Sequence, residues 1–223
     1  MLDRRLALLG GLAGLAACAA PPRAITGLSA ADIPPRLMSV RAHMRRVFDI
    51  TVCSRPFRAA GPRLDTEMLG DTLVVHNYGH GGSGWSLSWG SAQALLEKAL
   101  ARGDRSLAVI GCGALGLTTA VLALRMGCSV TLYARELLPL TRSARATGSW
   151  TPDSRIALQN AAGPGFGDLW ERMARVSWKS YRSYLGLSGT PVEFGDRYYV
   201  DDGTPQNYFS TPNALAFAHY GNR

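Results

Sequence analysis

The chain has 223 residues, of which 47% are apolar, and its 24 Lys and Arg against 16 Asp and Glu give a net charge of +8. That length allows one domain, or one domain and part of another, and the apolar fraction suffices for a hydrophobic core. The basic residues are scattered, without a lysine-rich tail or a basic stripe interleaved with aromatic residues, so nucleic acid is not an expected partner. No CxxC spacing joins the cysteines, so neither a metal site nor a disulfide framework is expected.

The N-terminus has the pattern of an export signal. Arg4 and Arg5 precede an apolar run over residues 6–17, which is too short to span a bilayer and has the length of a signal core. The run ends at Cys18 in a Leu-Ala-Ala-Cys sequence that resembles the lipobox of bacterial lipoproteins, and the paired arginines resemble a weak twin-arginine signal. We therefore expect a signal over residues 1–18, a lipid on Cys18 and a periplasmic, membrane-anchored protein; an ordinary cleaved signal is the alternative.

Between the signal and the middle of the chain, composition and periodicity predict a series of short elements. Residues 19–35 are rich in Ala, Pro and Ser and have the composition of a tether. The next elements are predicted in this order: a short helix over 36–46, strands over 47–53 and 72–76, an irregular glycine-rich loop over 77–84, a helix over 91–101 and a turn over 103–105.

A β-α-β unit follows this turn. Residues 107–110 form an apolar strand pattern, residues 111–116 read Gly-Cys-Gly-Ala-Leu-Gly, a helix pattern continues to Met126, and residues 129–133 form a second strand pattern. A GxGxxG sequence alone is weak evidence, but here it lies between a strand and a helix, with a second strand at the correct distance. The unit predicts a dinucleotide site with the phosphates at the helix N-terminus.

Each glycine of this fingerprint has its own expected role. Gly111 permits the tight turn, Gly113 lets the backbone approach a pyrophosphate, and Gly116 lets the helix pack closely on the strand. After the second strand come Arg135 and Glu136, and a carboxylate there would bind the ribose hydroxyls, which favours FAD or NAD over NADP. A solvated charge at the start of the next segment is the alternative reading of Glu136.

Beyond the dinucleotide unit, residues 166–185 have the periodicity of an amphipathic helix. One face would carry Trp170, Ala174, Ser177, Tyr181 and Leu185. Residues 192–194 and 197–200 have the pattern of a β-hairpin.

Three stretches resemble the D-amino-acid oxidase family of FAD-dependent enzymes. Residues 76–86, His-Asn-Tyr-Gly-His-Gly-Gly-Ser-Gly-Trp-Ser, resemble the C-terminal flavin loop of that family. Residues 53–65 resemble the segment that carries the arginine for the substrate carboxylate, and residues 138–152 resemble the loop on the pyrophosphate side. Together with the fingerprint, the resemblance covers most of residues 48–200. It implies an α/β fold, with a Rossmann-like parallel sheet that binds FAD and a partial antiparallel substrate domain.

The resemblance also implies a cofactor and a set of site residues. Arg55 matches the catalytic arginine that holds the substrate carboxylate, and a surface arginine near a proline turn is its alternative reading. Backbone N–H groups at Gly81, Gly82 and Gly84 could stabilise the charge that develops on a reduced flavin, while His76 and His80 would hold the loop by hydrogen bonds and not act as bases. The cofactor-binding residues implied for FAD are Gly81, Gly82, Ser83, Gly84, Trp85, Ser86, Gly111, Gly113, Ala114, Leu115, Gly116, Arg135, Glu136, Arg142 and Ser143.

The order of the motifs departs from the family pattern. The glycine loop precedes the fingerprint, as in a circularly permuted chain, and an FAD-binding core over residues 36–152 would tolerate this because chain termini often lie close together. Residues 153–223 would then form an incomplete substrate domain. The tyrosines in this last part do not match the context of the active-site tyrosine of the family; they are Tyr198, Tyr199, Tyr208 and Tyr220. We expect either a truncated form of the family enzyme or one that has lost part of the site.

Three functions remain open from the sequence. The leading one is FAD-dependent oxidation of the CH–NH₂ group of a D-amino acid or related amine to an imine, with O₂ or a membrane electron acceptor taking the electrons. The second is a non-catalytic, lipid-anchored remnant that acts as a surface or interaction protein. An NAD-binding lipoprotein is the third, and it leaves the glycine loop unexplained.

Overall fold

The computed structural model describes residues 41–195. The expected signal over 1–18, the tether over 19–35 and the strand over 197–200 lie outside these residues, as do Tyr198, Tyr199, Tyr208 and Tyr220. The chain divides into two compact units, Met1–Ile50 and Thr51–Arg223.

The described part of the first unit has little regular structure. Its one helical element is a 3₁₀ turn over Met44–Arg46, so the described part of the helix expected over 36–46 is confirmed only in that turn. The strand expected over 47–53 is wrong. This stretch pairs with no strand of the described region and its apolar side chains are exposed, with Phe48 at 99%.

An antiparallel hairpin opens the second unit. Strand β1 (Thr66–Leu69) pairs with β2 (Thr72–Val75), with Thr66 opposite Val75. Gly70, at φ +59°, makes the turn between them, a conformation that glycine adopts without strain. The strand predicted over 72–76 is thus confirmed; β1 was missed because its sequence, Thr-Glu-Met-Leu, gives no clear alternation.

Helix α1 (Gly84–Ala99) begins inside the glycine loop and not at residue 91 as expected. Its first turns are rich in glycine and serine, which are poor helix formers, so the sequence concealed them. Tertiary packing compensates, because every residue from Ser86 to Ala92 is buried. A 3₁₀ turn over Leu100–Arg102 ends the helix at Gly103, which has φ +86°.

The predicted β-α-β unit is confirmed. Strand β3 (Ser106–Ile110), helix α2 (Ala114–Arg125) and strand β4 (Ser129–Tyr133) follow one another, and the strands pair in parallel with Ser106 opposite Ser129. One face of this two-stranded sheet packs on the helices through a small core that contains Leu96, Ala123 and Cys128. The other face is open, with Ile110 88% exposed.

Helix α3 (Phe166–Arg182) packs against α1. The predicted helix is therefore confirmed as far as Arg182, and the side chains of Trp170, Ala174 and Ser177 are buried as expected. A Cβ at Gly90 would overlap the backbone of Met173, so glycine permits the close approach of the two helices. The main core at this contact consists of Leu87, Ile156, Ala157, Phe166, Trp170, Met173 and Ala174.

The described residues form an α/β fold with a small parallel sheet and packed helices. The strand expected over 192–194 is wrong, because Val192 makes only an isolated bridge with Leu185. The Rossmann-like sheet beyond β3 and β4 and the substrate domain remain predictions. Within residues 41–195, no helix has the length and apolar character needed to span a bilayer.

Candidate functional site

The glycine loop over residues 76–86 is the first of two glycine motifs, and the fingerprint over residues 111–116 is the second. Backbone hydrogen bonds hold the first motif in place. The Gly81 N–H donates to the Pro56 carbonyl at 3.1 Å, and the Gly82 N–H donates to the Ser154 carbonyl at 2.9 Å. A Cβ at Gly81, which has φ +55°, would overlap the Arg155 carbonyl oxygen. The expectation that both N–H groups point outward to a cofactor is therefore wrong, because glycine serves here for close contact between backbone segments.

The free donors of this motif lie at the start of α1. The N-cap is Ser83, and its side chain makes no capping bond but donates to the Ser154 carbonyl at 3.0 Å. The backbone N–H groups of Gly84, Trp85 and Ser86 have no hydrogen-bond partner among residues 41–195. They form the positive end of a helix, which suits an oxygen atom that gains negative charge.

The fingerprint glycines adopt the geometry that the sequence predicted for them. Gly111 has φ +109° and donates its N–H to the Tyr133 carbonyl at 2.7 Å. A Cβ at Gly116 would overlap the Gly111 carbonyl oxygen, and a Cβ at Gly113 would lie 2.8 Å from the Ser143 Oγ. The N–H groups of Leu115 and Gly116 have no partner in the described part of the chain. The backbone therefore offers open donors where a pyrophosphate could bind.

Ser143 joins the two motifs. Its Oγ accepts a hydrogen bond from the Ala114 N–H at 2.9 Å, at the first residue of α2. Its carbonyl accepts one from Trp85 Nε1 at 3.0 Å, in the first turn of α1. A further hydrogen bond, from Asn77 Nδ2 to Thr119 Oγ1 at 3.2 Å, ties the glycine loop to α2. The N-termini of the two helices thus converge on one residue.

The charged residues predicted for the cofactor lie at the rim of this region. Arg135 and Glu136 form an ion pair with each other at 3.1 Å after β4, with side chains 83% and 37% exposed. Arg142 is exposed in the 3₁₀ turn over Arg142–Arg145. Within residues 41–195, no hydrogen bond joins these three side chains to the glycine backbones.

Arg55 lies beside the first glycine motif. A Cβ at Gly82 would lie 2.9 Å from Arg55 Nη1, and Arg55 has no ion pair among the described residues. Arg63 differs, because it binds Asp65 at 2.8 Å and Glu67 at 2.9 Å. Its pKa is raised above the ordinary value, chiefly by the hydrogen bond to the Tyr78 hydroxyl. The Arg55 guanidinium, unlike that of Arg63, is thus available to a ligand.

The two histidines of the motif have different surroundings. His76 Nε2 lies 3.2 Å from Glu67 Oε1 and the two rings of His76 and Tyr78 meet edge to face. His80 is buried, and neither of its ring nitrogens has a hydrogen-bond partner within the described region. Burial lowers the pKa of His80 to about 4. The expected hydrogen-bonding role of the His80 side chain is wrong; its backbone carbonyl accepts the Ser83 N–H instead, at 2.9 Å.

Sequence reasoning placed residues 138–152 in the pyrophosphate-side loop, but it missed Ser154 and the contacts that residues 149–154 make with the start of α1. Ser86 Oγ accepts the Thr151 N–H at 2.7 Å and lies 3.4 Å from the Ser149 carbonyl, to which it donates. Ser154 receives hydrogen bonds from Gly82 and Ser83. A lone serine in a loop carries no sequence signal, and only the folded contacts reveal it.

Comparison with known proteins gives partial matches. A family model described as FAD dependent oxidoreductase matches residues 106–203. A D-aspartate oxidase from Cryptococcus neoformans is 47% identical over 49 residues, which cover 21% of this chain and 12% of that protein. A D-amino-acid oxidase from Dictyostelium discoideum is 47% identical over 64 residues, which cover 28% of this chain and 17% of that protein.

The matched segments span less than a fifth of the length of these curated relatives. No solved structure matches the chain significantly. The family match begins at the first residue of β3 and leaves the glycine loop outside it. These matches support the resemblance of the chain to the FAD-dependent oxidoreductases that include D-amino-acid and D-aspartate oxidases.

Proposed function

We propose that this chain is an FAD-dependent oxidoreductase that oxidises the CH–NH₂ group of a D-amino acid, or a related amine, to an imine. The observation that carries the proposal is the convergence of both glycine motifs on Ser143. Two helix N-termini with open N–H groups, held side by side, fit a cofactor that has a pyrophosphate at one point and a flavin at another. NAD would engage the fingerprint and leave the start of α1 without a role.

The residues present fit FAD in charge and in space. The pyrophosphate would lie at the open N–H groups of Leu115 and Gly116, beside Gly113, where two of the three residues have no side chain. The flavin edge that gains charge would lie at the N–H groups of Gly84 and Trp85. Bound FAD would accept a hydride from the substrate, and O₂ or a membrane electron acceptor would take the two electrons onward.

The substrate would be oriented by Arg55 and not by a histidine base. An arginine guanidinium can hold a carboxylate through two parallel hydrogen bonds, which fixes the direction of the Cα–H bond. The low pKa of His80 keeps its ring neutral near pH 7, and its burial leaves it no path to a substrate proton. Amine oxidation by hydride transfer needs no strong base when the neutral amine is the bound form.

We also propose that the chain carries the motifs of this family in permuted order. The support is the sequence itself, in which residues 76–86 precede the segment over 106–203 that matches the family model. The close packing of α1 on α2 supports such an order, because a short connection over residues 100–105 is enough to join α1 to β3.

Export and lipid anchoring at Cys18 form a separate proposal, supported by the N-terminal sequence pattern. Metabolic labelling with a radioactive fatty acid in a bacterial host would test it. The native chain should be labelled and found in the membrane fraction, and a Cys18→Ser variant should be unlabelled. Equal labelling of both would exclude a lipid on this cysteine.

The first test of the enzyme proposal is the visible absorption spectrum of purified protein. Two flavin bands that bleach on anaerobic addition of D-alanine, and not of L-alanine, are the expected result. Arg55→Ala should retain the bands and lose the bleaching, whereas Arg172→Ala, an exposed arginine on α3, should behave as wild type. A colourless protein that takes up no added FAD would overturn the proposal and favour the non-catalytic remnant.

A further inference from the structure

The described residues of the first unit, 41–50, carry a cluster of basic side chains. Arg41, Arg45 and Arg46 are all exposed, and Asp49 is the single acidic residue of the stretch. No ion pair joins the three arginines to an acidic side chain of the described region. The cluster therefore presents an excess of positive charge at the surface.

Exposed apolar side chains lie among and after these arginines. Phe48 is 99% exposed, Met44 and Ile50 are each 77% exposed, and Val47 is 48% exposed. Single exposed apolar residues are common on protein surfaces, but several that are adjacent in one short stretch are typical of a surface that contacts a partner. Residues 41–50 thus combine positive charge with apolar surface.

A short turn holds the two kinds of side chain next to each other. The Arg45 N–H donates to His43 Nδ1 at 3.2 Å, and the Arg46 N–H donates to the His43 carbonyl at 2.8 Å. Both bonds belong to the 3₁₀ turn over Met44–Arg46, in which no residue is buried. The turn is therefore stabilised by local backbone contacts, and its side chains stay available to a partner.

We propose that residues 41–50 form a binding surface for an anionic lipid bilayer. The arginine guanidinium groups bind headgroup phosphates, and the apolar side chains, Phe48 above all, enter the boundary between headgroups and acyl chains. An anionic bilayer offers phosphate charge and an apolar layer side by side, whereas a nucleic acid offers phosphates without an apolar layer. This inference depends neither on the proposed oxidation nor on a lipid at Cys18.

The test is sedimentation of the full chain with lipid vesicles, in a Cys18→Ser background that removes the expected lipidation site. Vesicles that contain phosphatidylglycerol are compared with vesicles of phosphatidylcholine alone, because the apolar run over residues 6–17 can bind both, whereas headgroup charge is present only in the first. The chain should prefer the anionic vesicles by about a hundredfold, since each of three arginines near such a surface contributes about fivefold. High salt should reduce this preference by screening.

Matched substitutions separate this surface from the net charge of the chain. A triple variant with glutamine at three clustered positions should lose most of the preference for anionic vesicles; its substitutions are Arg41→Gln, Arg45→Gln and Arg46→Gln. The control triple removes the same charge at exposed arginines elsewhere and should retain most of the preference; its substitutions are Arg105→Gln, Arg172→Gln and Arg182→Gln.

The apolar contribution has its own signature. Phe48→Ser should weaken binding to anionic vesicles by about tenfold, because a phenylalanine side chain that leaves water on binding is lost. This loss should persist at high salt, which screens charges and does not weaken apolar burial. Leu187→Ser, at a leucine that is 48% exposed, is the control and should bind like the parent chain.

Three results would overturn the proposal. The first is equal affinity of the parent chain for anionic and neutral vesicles, and the second is an equal loss of preference in the two arginine triples. The third is unchanged binding in Phe48→Ser, because charge alone would then account for the interaction; retention of the chain on duplex DNA would in that case indicate a nucleic acid as the partner. Far-UV circular dichroism of each variant would verify that the fold is retained.

Discussion

The two glycine motifs of this chain use the same residue type for different purposes. At Gly81 and Gly82 the backbone N–H groups donate to other backbone segments, and any Cβ would meet atoms of Ser154 or Arg155. In the fingerprint, the N–H groups of Leu115 and Gly116 remain open. Sequence spacing alone does not separate glycines that pack segments together from glycines that expose donors to a ligand.

This difference between the two motifs predicts whether a glycine substitution lowers the stability of the fold or the affinity for a ligand. In the first motif the neighbouring atoms are backbone carbonyls held by several hydrogen bonds, so an added side chain should reduce stability. At Gly113 the neighbour is the hydroxyl of Ser143, a side-chain atom that can rotate, so an added methyl group should be tolerated by the fold. The added methyl group at Gly113 should instead lower the affinity for the ligand.

The largest effect is expected for Gly81→Ala. The added Cβ would overlap the Arg155 carbonyl, and φ +55° is unfavourable for alanine. The free energy of unfolding in urea should fall by about 3 to 4 kcal/mol. Gly84→Ala is the matched control, because the nearest atom to its Cβ would be His80 Cβ at 4.0 Å, and it should change stability by less than about 0.5 kcal/mol. Equal stability of the two variants would contradict this view of the first motif.

The next effect concerns His80, which lies under the first motif. Because burial lowers its pKa to about 4, the folded protein binds fewer protons than the unfolded chain between that value and the ordinary 6.5. Stability should therefore be fully present above pH 6.5 and decrease as the pH falls towards 4, by about 3 kcal/mol at most.

Urea unfolding between pH 4 and 7 would measure this dependence. In His80→Leu, which removes the titrating group, the loss should be much smaller over the same range. A matched substitution at the exposed His43 should retain the full dependence. An identical pH profile for wild type and His80→Leu would show that other groups cause the acid sensitivity.

A smaller effect is expected at the second motif. Gly113→Ala should weaken FAD binding by about tenfold, equal to about 1.4 kcal/mol, because the methyl group enters the space next to the open N–H groups. The FAD-free protein should lose no more than about 1 kcal/mol of stability, because the Ser143 hydroxyl that has to shift accepts only the Ala114 N–H. Fluorescence titration with FAD, with thermal unfolding of the same samples, would measure both quantities; a large loss of stability without FAD would contradict the distinction between the motifs.

The smallest effect is expected for Ser143→Ala. The variant removes the hydroxyl that accepts the Ala114 N–H at the start of α2, and retains the carbonyl that accepts Trp85 Nε1. The loss of one helix cap should cost about 1 kcal/mol, seen as a lower midpoint in urea unfolding. Ser188→Ala serves as the control, because Ser188 is exposed and its hydroxyl makes no hydrogen bond among residues 41–195. A Ser143→Ala protein as stable as that control would mean that water replaces the hydroxyl at no cost.

The sequence predicted the β-α-β unit because local signals agree there. Strand periodicity, the glycine turn at Gly111 and the stop at Gly127 all indicate the same unit, and its contacts are mostly between neighbouring elements. The start of α1 was not predictable, because Gly84 and the serines that follow favour a loop locally. Tertiary packing, including that of α3, which contacts Gly90 through Met173, stabilises a helix there.

The candidate site, like the fold, was predictable from the sequence only in part. Arg55 and the fingerprint glycines could be proposed as site residues from motifs, since each belongs to a stretch with a characteristic order of residue types. The bridging position of Ser143 and the contact between Ser154 and Gly82 depend on segments distant in the chain. Trp85 and Ser143 are 58 residues apart, and Ser83 and Ser154 are 71 residues apart.

These separations affect the order in which the protein can form as it leaves the ribosome. The unit of β3, α2 and β4 consists of adjacent elements and can fold as soon as Tyr133 has emerged. The first glycine motif cannot reach its final shape until Ser154 is available, and the Tyr181 hydroxyl, which donates to the Trp85 carbonyl across 96 residues, comes later still. A cofactor would therefore find its phosphate end ready before its flavin end, so full binding would be a late event in biosynthesis.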